Sequence, residues 1–174
     1  MTTFSTTIKL KGNLAKANKK VFMDVHREAI TEQMQRAVDV TYMSVKEHIP
    51  KGASNLLYNS VNKKVTNFPS FVEGKVYIKE GLAQRYAKPV EFGRKAGAKW
   101  PPKGALILWL IVKLGMSYRE AKQKEWFFRR SIAKKGIKPV LMFFTGYHEA
   151  SSYVNSIFEN TGKVIKEKLA NARK

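Results

Sequence analysis

Polar and apolar positions alternate at the start of the chain. Thr2, Phe4, Thr6, Ile8 and Leu10 fall on one side, and Thr3, Ser5, Thr7, Lys9 and Lys11 on the other. A two-residue period rich in β-branched side chains predicts a strand or extended arm with one greasy face. Gly12-Asn13 interrupts it. From about residue 14 to His48 the period changes to that of a helix, through Leu14, Ala17, Val21, Val25, Ile30, Met34, Val38, Thr41, Val45 and Ile49. Asp24, Arg27, Glu28, Glu32, Arg36 and Asp39 take the opposite face. Pro50-Lys51-Gly52 predicts the end of this helix, because proline cannot continue it.

A short turn or single helical segment is expected over 53–60. Two strands follow, Val61–Phe68 and Phe71–Lys79, with Asn67-Phe68-Pro69-Ser70 as their turn. Residues 81–93 read as a short helical or bent segment closed by Gly93. Residues 94–104, with two glycines, two prolines and four basic side chains around Trp100, form the clearest loop. A helix is predicted from about Pro102 to Leu114, then a second from the capping-box signal Ser117-Tyr118-Arg119-Glu120 to Lys135. Gly136 stops that second helix. Pro139–Tyr147 is apolar and expected to pack on the core, and a last amphipathic helix is expected from about Glu149 to Ala172. The pattern predicts an α+β protein: a long N-terminal helix and C-terminal helices on a small antiparallel sheet. Residues 1–12 would be an arm and residues 13–174 one domain, carrying a basic loop-helix insertion at about 94–115.

Charge sharpens this picture. Lys and Arg number 33 against 13 Asp and Glu, a formal charge of +20. Residues 85–138 alone hold 15 basic and 3 acidic side chains, net +12. A field of one sign concentrated in a third of the chain points to acidic partners. Hydrophobic residues make up 44%, which argues against a disordered basic tail. The absence of cysteine removes disulfide frameworks and thiolate chemistry. The longest apolar run, Ala105–Val112, is far shorter than the roughly 20 residues that span a bilayer, and the polar start does not read as a secretory signal.

Candidate chemistry is sparse. No glycine-rich phosphate loop, nucleophile elbow or His-Glu-x-x-His run is present. His26, His48 and His148 are scattered, and nothing in the carboxylate spacing singles out an acid/base pair. The sequence therefore predicts neither an enzyme nor a cofactor or metal site. Trp109, Trp126, Phe127 and Phe128 are expected in the core. Trp100 either caps the core or anchors a partner. The candidate interaction residues are the basic loop Arg94, Lys95, Lys99, Trp100 and Lys103, and a second basic face of Arg129, Arg130, Lys134, Lys135 and Lys138. Glu91, alone in a basic stretch, is expected to pair with a nearby arginine or lysine within or between subunits, the alternative being a solvated surface glutamate. Phe4, Ile8 and Leu10 would let the arm add as a strand to a neighbouring subunit.

The order of these signals resembles a family. Leu57-Tyr58-Asn59-Ser60, the strand pair, Tyr86-Ala87-Lys88-Pro89-Val90-Glu91-Phe92-Gly93, Trp126–Ile132, Gly136-Ile137-Lys138-Pro139 and Phe143-Phe144 are similar to the tail-completion or head–tail joining (neck) proteins of tailed bacteriophages, also described as tail components or minor capsid proteins. The motif residues that carry the likeness best are Tyr86, Ala87, Val90, Glu91, Phe92 and Gly93. The stretch Arg94–Lys113 is larger than the simplest members carry. The resemblance implies a structural virion protein, made in the bacterial host cytoplasm. It would form a homo-oligomeric ring, usually of six copies, in the neck, where it completes the tail. The implied partners are the portal, adaptor or head-closure complex on one side and the tail terminator or tail tube on the other, with genomic DNA passing through the lumen and no membrane. A tail terminator ring and a non-specific nucleic-acid-binding protein are the alternatives. For the basic loop, an acidic surface on the adjacent ring is preferred to the DNA lumen, since many phosphate contacts would slow DNA exit.

Overall fold

The computed structural model describes residues 3–6, 19–52 and 54–171. Elements follow in the order β1 (Thr3–Thr6), α1 (Lys19–His48), α2 (Leu56–Ser60), β2 (Val61–Asn67), β3 (Val72–Ile78), α3 (Leu82–Phe92), α4 (Ile107–Leu114), α5 (Tyr118–Lys135), α6 (Met142–Glu159) and α7 (Thr161–Asn171). The fold is α+β. Its sheet has the order β1-β3-β2, and β1 runs antiparallel to β3 in the register Thr3↔Lys75, Phe4↔Gly74, Ser5↔Glu73, Thr6↔Val72. Among the described residues no helix is long and apolar enough to cross a membrane.

The chain gathers into two compact units. One comprises the described parts of residues 1–47, 62–77 and 146–174, and the other residues 48–61 and 78–145. In the first unit, α1 buries His26, Ala29, Gln33, Ala37, Thr41 and Val45, positions that recur every three or four residues and so share one face, with Met34 and Val38 buried beside them. On the sheet, Val72, Gly74 and Val76 alternate inward. Gly74 lies so close to α1 that a Cβ there would collide with Val38 and approach Met34 Sδ to 2.7 Å. On the helical side, Ala150 and Val154 of α6 meet Ala37, with Val40, Ile157 and Phe158 packed around them. His26 is buried, and its Nδ1 lies 3.0 Å from the Phe22 carbonyl oxygen.

In the second unit, α2 packs on α3 and α4 on α5. The start of α5 follows the sequence signal closely. The Ser117 Oγ accepts from the Glu120 N–H, while the Glu120 carboxylate accepts from the Ser117 N–H at 3.0 Å. These bonds, the backbone one first and the serine hydroxyl next, hold the Glu120 carboxyl below its ordinary range, with Lys124 adding a smaller effect.

Two expectations about the C-terminal region change. The stretch expected to lie on the core from Pro139 to Tyr147 is already helical from Met142, and only Met142 and Gly146 of it are buried. Phe144 and Tyr147 face solvent. The single helix expected over 149–172 is interrupted at Asn160, whose side chain donates to the Ser156 carbonyl while its own carbonyl accepts from Lys163 and Val164.

Candidate functional site

The two basic groups picked out in sequence meet in the second unit. A single antiparallel bridge joins them at the base: the Arg94 N–H donates to the Ile137 carbonyl at 2.8 Å, and the Ile137 N–H returns to the Arg94 carbonyl at 2.9 Å. Glycine stands beside each partner. Gly93 has φ 71° and ψ −170°, and Gly136 has φ 76° and ψ −166°. Only glycine populates that region freely. There is no room for a side chain either. A Cβ on Gly93 would sit 2.6 Å from the Ile137 oxygen, and one on Gly136 would collide with the Arg94 oxygen.

From this bridge the loop 95–104 runs back along α5. The Gly97 N–H donates to the Ala133 carbonyl at 2.8 Å, and Arg129 Nε donates to the Pro101 carbonyl at 2.7 Å. An open cleft lies between loop and helix, lined by Lys99, Trp100, Arg130 and Lys134 together with Gly97, Ala98 and Ala133. The indoles carry guanidinium groups on their faces: Arg129 lies 5.7 Å from the Trp100 ring centroid and Arg130 5.3 Å from that of Trp126. The two indoles are 6.0 Å apart, and Phe127 meets Trp126 edge-on at 5.0 Å. Stacking of this kind contributes roughly 0.5–1 kcal/mol where exposed, and it also restrains where each guanidinium points.

Trp126 and Phe127 are therefore not core residues. They remain 45% and 64% exposed, and Trp109 is 40% exposed. The reason lies in the stripe α5 buries, Ala121, Glu125 and Ala133. A helix docked through small side chains approaches its neighbour closely and turns its bulky residues aside. Trp100 is also half exposed, between its loop and Trp126.

Glu91 is only 7% exposed, so it is not a solvated surface glutamate, and among the described residues no lysine or arginine of its own chain pairs with it. Its two carboxylate oxygens instead accept from the Phe143 N–H at 3.0 Å and the Phe144 N–H at 3.2 Å, the first turn of α6. A carboxylate at a helix N-terminus answers both the unpaired amides and the helix dipole. Two main-chain bonds, Val140 N–H to the Val90 oxygen and Leu141 N–H to the Glu91 oxygen, tie the same segments together. Val90, Glu91 and Gly93 thus act as scaffold, Ala87 is buried and Phe92 projects outward at 74% exposure. Tyr86 lies on α3, and its side chain is outside the described residues, as are Ile8 and Leu10 of the arm. Phe4 stands on β1, whose backbone is paired with β3 of the same chain.

The electrostatic consequence follows from counting partners. In residues 85–138 the carboxylates are Glu91, Glu120 and Glu125. Glu91 serves α6, Glu120 serves the start of α5, and the buried Glu125 accepts from the Leu106 N–H at 3.3 Å. Among the described side chains, none of the lysines or arginines in this segment has a carboxylate within ion-pair distance. Lys95, Lys103, Lys135 and Lys138 are exposed and extend the positive surface beyond the cleft. Among the described residues no three His, Asp or Glu side chains gather closely enough to hold a metal ion. No protein-family model, no curated protein and no solved structure matches the chain.

Proposed function

We propose that this chain is a structural subunit that works by assembling with copies of itself, as the ring-forming neck proteins of tailed bacteriophages do. The observation that carries the reading is α4. Seven of its eight residues, Ile107-Leu108-Trp109-Leu110-Ile111-Val112-Lys113-Leu114, are apolar, yet only Leu110 is buried. Leu108, Trp109, Val112 and Leu114 stay exposed. A helix apolar on all sides is normally enclosed, and an apolar surface of this kind marks an interface. A second copy of the chain is the occupant we assign, since the chain resembles proteins that form rings. The basic face then meets the acidic components such a particle contains: neighbouring portal, head-closure or tail proteins, and the genome. A ring of six copies would carry about +120 before screening, so its assembly needs those components to offset self-repulsion.

Native mass spectrometry of the purified chain at several salt concentrations tests the reading. A closed oligomer that Leu108→Glu/Val112→Glu converts to monomer is the expected result. A wild-type chain that stays monomeric at every concentration, with electron microscopy finding no rings, would sink it.

A further inference from the structure

We propose that the cleft between loop 95–104 and α5 binds single-stranded nucleic acid, with Lys99, Arg130 and Lys134 on successive phosphates and the exposed indoles of Trp100 and Trp126 under the bases. This goes beyond the assembly reading and holds for the chain whether or not it forms rings.

Three observations meet here. The first is concavity. The cleft is open to solvent, and the small residues Gly97, Ala98 and Ala133 in its lining leave room for a sugar-phosphate backbone beside the cations. The second is the uncompensated charge. Glu91, Glu120 and Glu125 are all bonded to backbone amides, so among the described residues no carboxylate within ion-pair distance competes for the cations around the cleft. The third is the aromatic content. Proteins that hold single strands without reading sequence combine a positive groove with aromatic rings on which bases stack. Two half-exposed indoles 6.0 Å apart, beside three cations that have no ion-pair partner among the described residues, have that composition. Arg129 and Arg130 are already stacked on these rings. Their planes are restrained before a ligand arrives, so less freedom is lost on binding.

An acidic protein surface is the competing occupant, and the side chains weigh against it. Protein–protein interfaces are depleted in lysine, whereas interfaces with nucleic acid are strongly positive and lysine-tolerant. Lys95, Lys99, Lys103, Lys134, Lys135 and Lys138 crowd the loop and the end of α5. A duplex is the other competitor. It hides its bases and gives Trp100 and Trp126 nothing to stack on.

Fluorescence anisotropy of the full-length chain with labelled oligothymidylate tests the proposal, with a duplex of equal length and poly-L-glutamate as parallel probes. Oligothymidylate should bind tightest. Lys99→Ala/Arg130→Ala/Lys134→Ala should weaken it about a hundredfold at about 0.1 M salt and lower the salt slope by about 2, since each single-strand phosphate contact contributes about 0.7. Trp100→Ala should weaken oligothymidylate about tenfold and leave duplex binding unchanged. The control Lys64→Ala/Lys163→Ala/Lys166→Ala removes the same charge from exposed positions of the first unit. An equal loss in that control would reduce the effect to bulk charge and overturn the proposal. So would poly-L-glutamate or duplex binding as tightly as the single strand. Should the cleft variant fold poorly, lysine acetylation of the wild-type protein answers the same question. Oligothymidylate should protect Lys99 and Lys134 but not Lys163 and Lys166, and uniform protection would refute the site. A monomer that binds oligothymidylate in this way would sink ring assembly and leave the cleft standing; rings with no such binding would do the reverse.

Discussion

The two units treat their acidic residues differently. In the first, carboxylates face cations: Glu32 with Arg36 at 2.9 Å, Asp39 with Lys63 at 2.6 Å, Glu73 with Lys75 at 2.8 Å, and Glu28 and Glu32 with Lys168 at 2.6 and 3.3 Å. In the second, three of the four carboxylates, Glu91, Glu120 and Glu125, face backbone N–H groups, while Glu80 is exposed. The same residue type therefore trims a surface in one unit and holds segments in place in the other. Surface pairs contribute little, a median of about 0–1 kcal/mol, whereas a buried carboxylate accepting from two amides is costly to lose. The first unit can lose its charges cheaply. The second cannot, and among its described side chains the lysines and arginines of residues 85–138 have no carboxylate within ion-pair distance.

The comparison can be broken from the second unit first. Gly136→Ala puts a side chain against the Arg94 carbonyl in a backbone region other residues avoid. It should destabilise the chain by about 3–4 kcal/mol in urea unfolding and release loop 95–104 to hydrogen exchange. Glu91→Ala leaves the Phe143 and Phe144 amides without their acceptor and should cost about 3 kcal/mol, while Glu91→Gln, which keeps one carbonyl oxygen, should cost about half that. If Glu91→Ala proves as mild as a surface mutation, the contrast between the units fails. In the first unit, Gly74→Ala presses on Val38 and Met34. Overpacking of this kind should cost about 2 kcal/mol, with Met34 yielding before Val38 does. The smallest effects belong to the ion pairs. Lys63→Met should change stability by only a few tenths of a kcal/mol. Lys168, held above its ordinary range first by its bond to Glu28, contributes stability that is complete below its unfolded pKa and is lost as pH rises through the folded value. Alkaline titration of Lys168→Met should therefore lack a component that the wild type shows, and identical curves would remove that pair from consideration.

What the chain announces in advance follows the range of the interactions. The capping box at Ser117, the strand pair around Pro69, and the ends of helices at Pro50, Gly115 and Gly136 depend on neighbours in sequence, and they are legible there. The start of α6 is not. No capping side chain stands next to Met142, because the group that satisfies its first amides is Glu91, fifty residues earlier. Without that carboxylate in view, 139–147 reads as an apolar segment lying on the core. Trp126 and Phe127 mislead for a different reason. Large apolar residues on a helix suggest its buried face, but α5 docks through Ala121 and Ala133. The basic loop and the basic helix are each visible, whereas their meeting rests on the Arg94–Ile137 bridge, which no local pattern announces.

That bridge has a consequence for how such a chain can change over time. Because Arg94 and Ile137 are clipped together, everything between them is an excursion that leaves and returns at one point. Lengthening a closed excursion adds little entropic penalty, about 0.6 kcal/mol per doubling. The exposed loops of the intervening stretch should therefore tolerate insertions at little entropic cost.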